Sequence, residues 1–277
     1  MAHRRALCVG INVFKHLPTA TLQGCVNDAH DMAALLTGSL GFAPEAVTVL
    51  CDRAATRKAI LGQLQHLVKA ALKGEVSELV FTFSSHGTQV RDLDGDERDR
   101  LDEAFCPHDL AAASEGWKPD TIITDDELRT LFSALPETVT LEVFMDTCHS
   151  GTGLKGVDPN LLLSPFQPRP RWLPPPWYAA PEPDRALDRP PERVRQPANQ
   201  VLWTGCRADQ TSADATFDGR ANGAFTYHFL RALREGGPGQ TRTALRDAVR
   251  ARLKAAGFRQ IPQLETDAAH RRRGVLA

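Results

Sequence analysis

Two short stretches hold the residues best suited to chemistry. FTFSSHGTQ places His86 directly after a run of apolar and β-forming residues and just before Gly87, where the backbone can approach a ligand closely. LEVFMDTCHSG repeats the arrangement and places Cys148 at the end of a second such run, followed by small residues. A thiolate attacks carbonyl carbon, and a neighbouring imidazole can take the thiol proton and later hand one to a leaving amine. The backbone N–H groups of Gly87 and Cys148 would suit the oxyanion of a tetrahedral intermediate. Taken singly, Cys148 reads as a buried cysteine and His86 as a strand-end histidine. Taken together with both flanks, they read as an acyl-transfer site. Reading Cys148, His149 and His86 as zinc ligands finds no spacing of a closed site to support it.

Something must bring these stretches together. ALCVGI from residue 6, AVTVL from 46, ELVFTF from 78, TLEVFMDTC from 140 and QVLWTGC from 200 read as buried strands. Amphipathic segments around 27–39, 56–73, 125–133, 222–235 and 241–256 alternate with them and read as helices. Alternation of this kind predicts a mostly parallel sheet covered on both faces, with ligands gathered beyond the carboxyl ends of its strands. SSHG and DTCHSG both fall there. Residues 152–198 break the pattern: they are dense in proline and arginine and lack periodicity, as in a linker or surface excursion.

Composition narrows the function classes. A net charge of -1 gives no global attraction to nucleic acid or anionic membranes. Six cysteines without paired spacing suit a reducing compartment, and no apolar run is long enough to span a bilayer. The expectation is a soluble cytoplasmic protein with no nucleic-acid or membrane partner.

The ordered motifs GINVF, GCVNDAHDM, SSHGTQ, DGDERDRLDEAFCPHD, ITDDEL, DTCHSG, GCRADQTSAD and GAFTYHFLRAL resemble those of the type I metacaspases, in a bacterial-type, prodomain-free form. The resemblance spans most of the chain. It implies the caspase-hemoglobinase fold, a three-layer α/β/α sandwich with a mostly parallel central sheet of about six strands. A larger catalytic portion would cover 1–151 and a smaller one 199–277, with 152–198 between them. It makes His86 and Cys148 the catalytic dyad of an endopeptidase that cuts proteins after Arg or Lys, and Cys25, Asp28, Ser84 and Asp146 the lining of the pocket before the scissile bond. Carboxylates in a closed pocket call for a cation, preferably the forked guanidinium. Asp28 also reads as a helix cap. Ser85 stands where the family usually has glycine, and Asp209 and Gln210 would lie near the cleft.

The resemblance also implies calcium, held by Asp102, Asp125 and Asp126 with a fourth acid where this chain has Lys155. A charged lysine cannot ligate calcium, so either Asp158 substitutes, the site is degraded, or calcium is not used. DLDGDERDRLDE opens like a calcium loop with Asp92, Asp94 and Asp96 and ends on Glu103, yet Glu97 occupies the position where an EF-hand requires glycine. A plainer reading is a solvated acidic loop with Asp125 or Asp126 capping a helix. The arginines of 152–198, including Arg169, Arg171, Arg185, Arg189, Arg193 and Arg195, suit control by self-cleavage or by an upstream protease. The expected partners are protein substrates with basic cleavage sites, met by a monomer. The alternative is a catalytically silent caspase-like scaffold.

Overall fold

The computed structural model describes residues 3–91, 101–148, 168–177 and 199–276. Its strands in chain order are β1 (Arg4–Gly10), β2 (Val47–Cys51), β3 (Glu78–Ser84), β4 (Gly87–Arg91), β5 (Leu101–Phe105), β6 (Ala112–Ala113), β7 (Gly116–Trp117), β8 (Ile123–Thr124), β9 (Thr140–Asp146), β10 (Arg169–Pro170), β11 (Gln200–Thr204), β12 (Ala213–Phe217), β13 (Arg220–Gly223) and β14 (Gln263–Glu265). Among the described residues, five helices of eight residues or more flank them: α1 (Cys25–Ser39), α2 (Arg57–Leu72), α3 (Asp125–Ser133), α4 (Ala224–Gly236) and α5 (Arg242–Ala255).

Six strands form the central sheet in the order β14-β11-β9-β3-β1-β2. Every pairing in it is parallel except β11 with β14. Helices pack on both faces of the sheet. β1 shows how the faces divide: Leu7 and Val9 enter one core while Ala6 and Cys8 enter the other, as the two-residue strand period requires. The first core is closed by Ile60, Leu64 and Val68 of α2 and Leu128 and Phe132 of α3. The second is closed by Met32 and Leu36 of α1, Phe225 and Phe229 of α4 and Val249 of α5. Both covers follow the helical spacing of apolar residues.

One buried ion pair ties the two ends of this scaffold together. Glu142, fully buried in β9, accepts from Arg242 Nη2 at 2.8 Å and from Trp203 Nε1 at 2.9 Å, tying the strand that leads to Cys148 to the start of α5. Residues on both sides of 152–198 thus share one sheet and one core. All six cysteines are unpaired. Among the described residues no helix is long and apolar enough to cross a membrane.

Candidate active site

Ser84 lies in register with Asp146 at the ends of β3 and β9, so the residues after each strand leave the sheet at a common edge. His86 and Cys148 are each the second residue beyond those ends, and both are buried. Ser85 explains how a hydroxyl fits where glycine would: it is buried and donates to Cys106 O at 2.8 Å. Cys106 N–H in turn donates to His86 O at 3.1 Å, which fixes the turn that carries the imidazole.

His86 Nε2 lies 2.8 Å from Ala20 O. A carbonyl only accepts, so Nε2 carries the hydrogen and Nδ1 the lone pair. Nδ1 is buried and has no hydrogen-bond partner among the described residues, which leaves it available to a thiol or a leaving amine. Burial pulls the imidazole down to about 4, against the carbonyl bond to Ala20. At Cys148 the N–H of Ser212 donates to Sγ, and Sγ faces Ser212 O at 3.4 Å. An N–H aimed at sulfur is placed to solvate a thiolate.

The acidic pocket is filled from within the chain. The Arg171 side chain, fully buried, reaches Asp28 at 2.7 Å, Asp214 at 2.9 Å and Asp146 at 3.2 Å. Its Nη1 also donates to Asp146 O at 3.1 Å. Each carboxylate is held by donors at the start of a helix, where backbone N–H groups lack intrahelical partners. Asp146 accepts from Thr226 N at 3.0 Å and Thr226 Oγ1 at 2.7 Å in the first turn of α4, and from Ser212 Oγ at 2.6 Å. Asp28 accepts from Gly223 N at 3.0 Å and Asn222 Nδ2 at 2.9 Å, just before α4. Asp214 accepts from Gln23 N at 2.8 Å and Gly24 N at 3.0 Å, just before α1. Burial pushes the Asp28 carboxyl up to about 7 against the pull of Arg171.

Asp28 therefore does not cap its own helix. That work falls to Asn12, whose Oδ1 accepts from Cys25 N at 2.9 Å. Cys25 lies beside the pocket, and burial raises its thiol well above the ordinary range although Arg171 opposes this. Ser84 stands next to Asp146 across the strand pair. Gly223 forms the tightest wall: a methyl there would meet both Asp146 Oδ2 and Arg171 Nη1.

The backbone of this segment is held as tightly as its side chain. Arg171 O accepts from Gly87 N at 3.0 Å and from Cys148 N at 3.2 Å, the two donors suited to an oxyanion. Arg171 N donates to Ser212 O at 3.0 Å, and β10 pairs antiparallel with β12. Beyond Arg171, Leu173 N donates to Gly87 O at 2.9 Å.

Sequence reasoning did not place Ser212, Asp214, Gly223 or Thr226 at the site, and it named Arg171 only as one of several arginines suited to cleavage. Asp214 ends the motif GCRADQTSAD, and that motif was the available signal. Within it Asp209 forms an exposed ion pair with Arg207 at 2.6 Å, while Gln210 Oε1 accepts from Ile261 N at 2.8 Å, so neither side chain reaches Arg171. Nothing local marks Arg171 among the arginines of its segment.

The acids proposed for calcium separate. Asp102 is buried on β5 and lies close enough to Asp125, with Glu103, to help push Asp125 up to about 7, burial being the main cause. Asp126 pairs with Arg129, which also lies 3.8 Å from Asp125. Neither Asp125 nor Asp126 caps α3: Thr124 Oγ1 accepts from Glu127 N at 3.2 Å and the Glu127 carboxylate returns a bond to Thr124 N. Among the described residues no group of three or more His, Cys, Asp or Glu is arranged to hold a metal ion. Lys155, Asp158 and the Asp92–Asp96 loop lie outside the described residues.

The caspase-domain family model matches residues 3–272. The chain is 34% identical to Metacaspase-1A of Aspergillus niger, over 94% of its own length and 69% of that protein's. It is 32% identical to Metacaspase-1 of Cryptococcus neoformans, over 94% and 62%. It spans about two thirds of the length of these relatives. A crystal structure of a Geobacter sulfurreducens protein superposes with a TM-score of 0.68 at 25% identity, covering 99% of this chain and 98% of that one. Caspase-1 of Spodoptera frugiperda shares the fold with a TM-score of 0.59 at 14% identity, over 96% and 86%. The chain belongs to the caspase family and is a metacaspase-like cysteine peptidase.

Proposed function

We propose that the protein is an endopeptidase of the type I metacaspase kind that cuts protein chains after arginine, and after lysine less well. One observation carries this reading: a guanidinium sits among Asp28, Asp146 and Asp214 while the carbonyl of the same residue rests on the N–H groups of Gly87 and Cys148. Side-chain recognition and carbonyl polarisation are thus satisfied by one arginine at once.

In this reading Cys148 Sγ attacks the carbonyl carbon held on those two N–H groups, and the thiol proton passes to His86 Nδ1. The oxyanion is held by Gly87 and Cys148 while the C–N bond breaks. His86 returns the proton to the leaving amine. Water then hydrolyses the thioester, again with His86 as base, to give a carboxylate and the free thiol. Ala20 O keeps the tautomer in which Nδ1 carries the lone pair. A planar fork binds two carboxylates at once where an ammonium acts as one point charge, which ranks arginine above lysine.

Substrates are proteins with an accessible basic residue, and the enzyme acts as a cytoplasmic monomer without nucleic-acid or membrane partners. Calcium enters only as a regulator of the corner formed by Asp102 and Asp125. The test is hydrolysis of peptide reporters ending in Arg, Lys or Asp by the wild type and by Cys148→Ala. The expected order is Arg above Lys by about tenfold or more, with Asp uncut. Absence of any Cys148-dependent hydrolysis, with or without calcium, would instead support the silent scaffold, whose filled pocket and buried dyad fit that role.

A further inference from the structure

We propose that Cys206 is a resolving thiol for Cys148: hydrogen peroxide oxidises Cys148, and the two sulfurs then join in a disulfide that silences the enzyme reversibly. The bond follows from the placement of the two thiols, and only its consequence, loss of hydrolysis, rests on the protease reading above.

The sheet brings the two sulfurs together. β9 and β11 are parallel neighbours with Met145 opposite Thr204, and Gly205 N donates to Met145 O at 2.8 Å, so the pairing runs on past the strand ends. Continued along the chain, that register sets Cys206 beside Thr147, and Cys206 Sγ lies 3.8 Å from Thr147 O. Cys148 and Cys206 thus leave adjacent strands, whose spacing of about 4.8 Å falls within the about 4.4–6.8 Å between Cα atoms that a disulfide spans. The loop 206–212 wraps both sulfurs. Gln210 O lies 3.4 Å from Cys206 Sγ, and Ser212 O lies 3.4 Å from Cys148 Sγ. With Trp172 the two cysteines form a small cluster separate from both sheet cores.

The two thiols are not equivalent. A hydrogen bond from Cys206 to Cys148, with burial behind it, raises the Cys206 thiol well above the ordinary range. Cys206 therefore keeps its proton and is a poor first target for an electrophile. Cys148 has the opposite surroundings: the Ser212 N–H and the Cys206 thiol are both aimed at its sulfur, where they would solvate negative charge. Cys148 is also fully enclosed, so the oxidant must be small. Hydrogen peroxide is little larger than the water that hydrolysis itself requires.

Atoms and electrons balance. Cys148 Sγ attacks one peroxide oxygen, the O–O bond breaks, and the departing hydroxide takes the thiol proton to leave as water. Sulfur loses two electrons to the peroxide and becomes sulfenic acid. Cys206 Sγ then bonds to Cys148 Sγ as the S–O bond breaks, and the hydroxyl leaves with the Cys206 proton as a second water. A dithiol reductant restores both thiols and with them the nucleophile. Without Cys206 the sulfenic acid meets further peroxide and passes to sulfinic acid, which thiols do not reverse.

The experiment treats the reduced full chain with hydrogen peroxide, alkylates the remaining thiols and maps peptides by mass spectrometry without reduction, for wild type, Cys206→Ser and Cys206→Ala. Wild type should yield a linked pair of peptides carrying Cys148 and Cys206, lighter than their sum by the two thiol hydrogens. After dithiothreitol, wild type should regain at least about fivefold more arginyl-reporter hydrolysis than either variant, in which Cys148 ends as sulfinic acid. Two variants keep the comparison intact if one fails to fold. A wild type in which Cys148 stays reduced, stops at dimedone-reactive sulfenic acid, or pairs with another cysteine overturns the proposal. Variants that recover as fully as wild type overturn it too. If reduced wild type hydrolyses no reporter, the protease reading fails and the linked peptide alone decides the disulfide.

Discussion

The amide of Cys148 donates to the carbonyl oxygen of Arg171 at 3.2 Å, the place an oxyanion would take in the proposed acyl transfer. Gly87 supplies the second donor at 3.0 Å, and its own carbonyl binds Leu173. Gly87→Ala should cut kcat by at least about a hundredfold, the scale set by loss of one oxyanion donor. The cause is steric, because a methyl at residue 87 would collide with Cys148 O and displace both N–H groups. Circular dichroism would establish that the variant is folded. Wild-type kcat in a folded variant would remove Gly87 from the oxyanion site.

Gly223→Ala tests the pocket independently. The added methyl would occupy the space between Asp146 and the guanidinium. Specificity for arginine should fall by at least about a hundredfold in kcat/KM, with a smaller loss for lysine, whose single ammonium leaves more room. Equal losses on both reporters would argue that residue 223 acts through the fold and not through the pocket.

Opposed titrations should flatten the pH dependence of stability. Burial holds His86 at about 4, below its unfolded value near 6.5, so the unfolded chain binds the extra proton and stability from this group is lost as pH falls from about 6.5 towards 4. Asp28 and Asp125 are pushed up to about 7, so there the folded chain binds the extra proton and stability is lost as pH rises from about 4 to 7. Urea unfolding across pH 4–7 should therefore show Asp28→Asn losing stability more steeply than wild type on acidification. His86→Gln should lose it more steeply on alkalinisation. Parallel curves for all three proteins would contradict these assignments.

The buried pair of Glu142 and Arg242 should matter to stability alone. Arg242→Ala leaves Glu142 buried without its cation and should cost about 3–5 kcal/mol in urea unfolding. Reporter kinetics in folded protein at low temperature should stay near wild type, because neither residue touches Arg171, Cys148 or His86. A large kcat loss in folded protein would mean that β9 transmits the change to Cys148.

Calcium dependence can be read directly. If Asp102 and Asp125 regulate through calcium, EGTA should lower reporter hydrolysis and Asp125→Asn should abolish that sensitivity. Activity unaffected by EGTA would confine those acids to a structural role.

The sequence made the strand-end placement of His86 and Cys148 legible because apolar runs of strand length stop just before each of them. Asp28 and Asp146 were legible as a pair through the motifs around them. β14 was not, because three residues of antiparallel edge leave too short a pattern to distinguish from a loop. Asp214 escaped notice because it shares its motif with Asp209, and only the tertiary path of β12 decides which acid points inward. Arg171 was hidden for a different reason. Its segment has no periodicity of its own, and its structure is imposed by the hydrogen-bonding groups of β12, Gly87 and Cys148.

The three acids around Arg171 have one further consequence. With that guanidinium gone, the cleft would face solvent as an anionic well, anchored by two helix starts and lacking its resident counter-ion. Such a well focuses its field outward and gathers cationic chains from a distance. Capture of basic substrates would then be a diffusional event governed by ionic strength: fast in dilute buffer, and slowed by salt far more than the chemical step that follows.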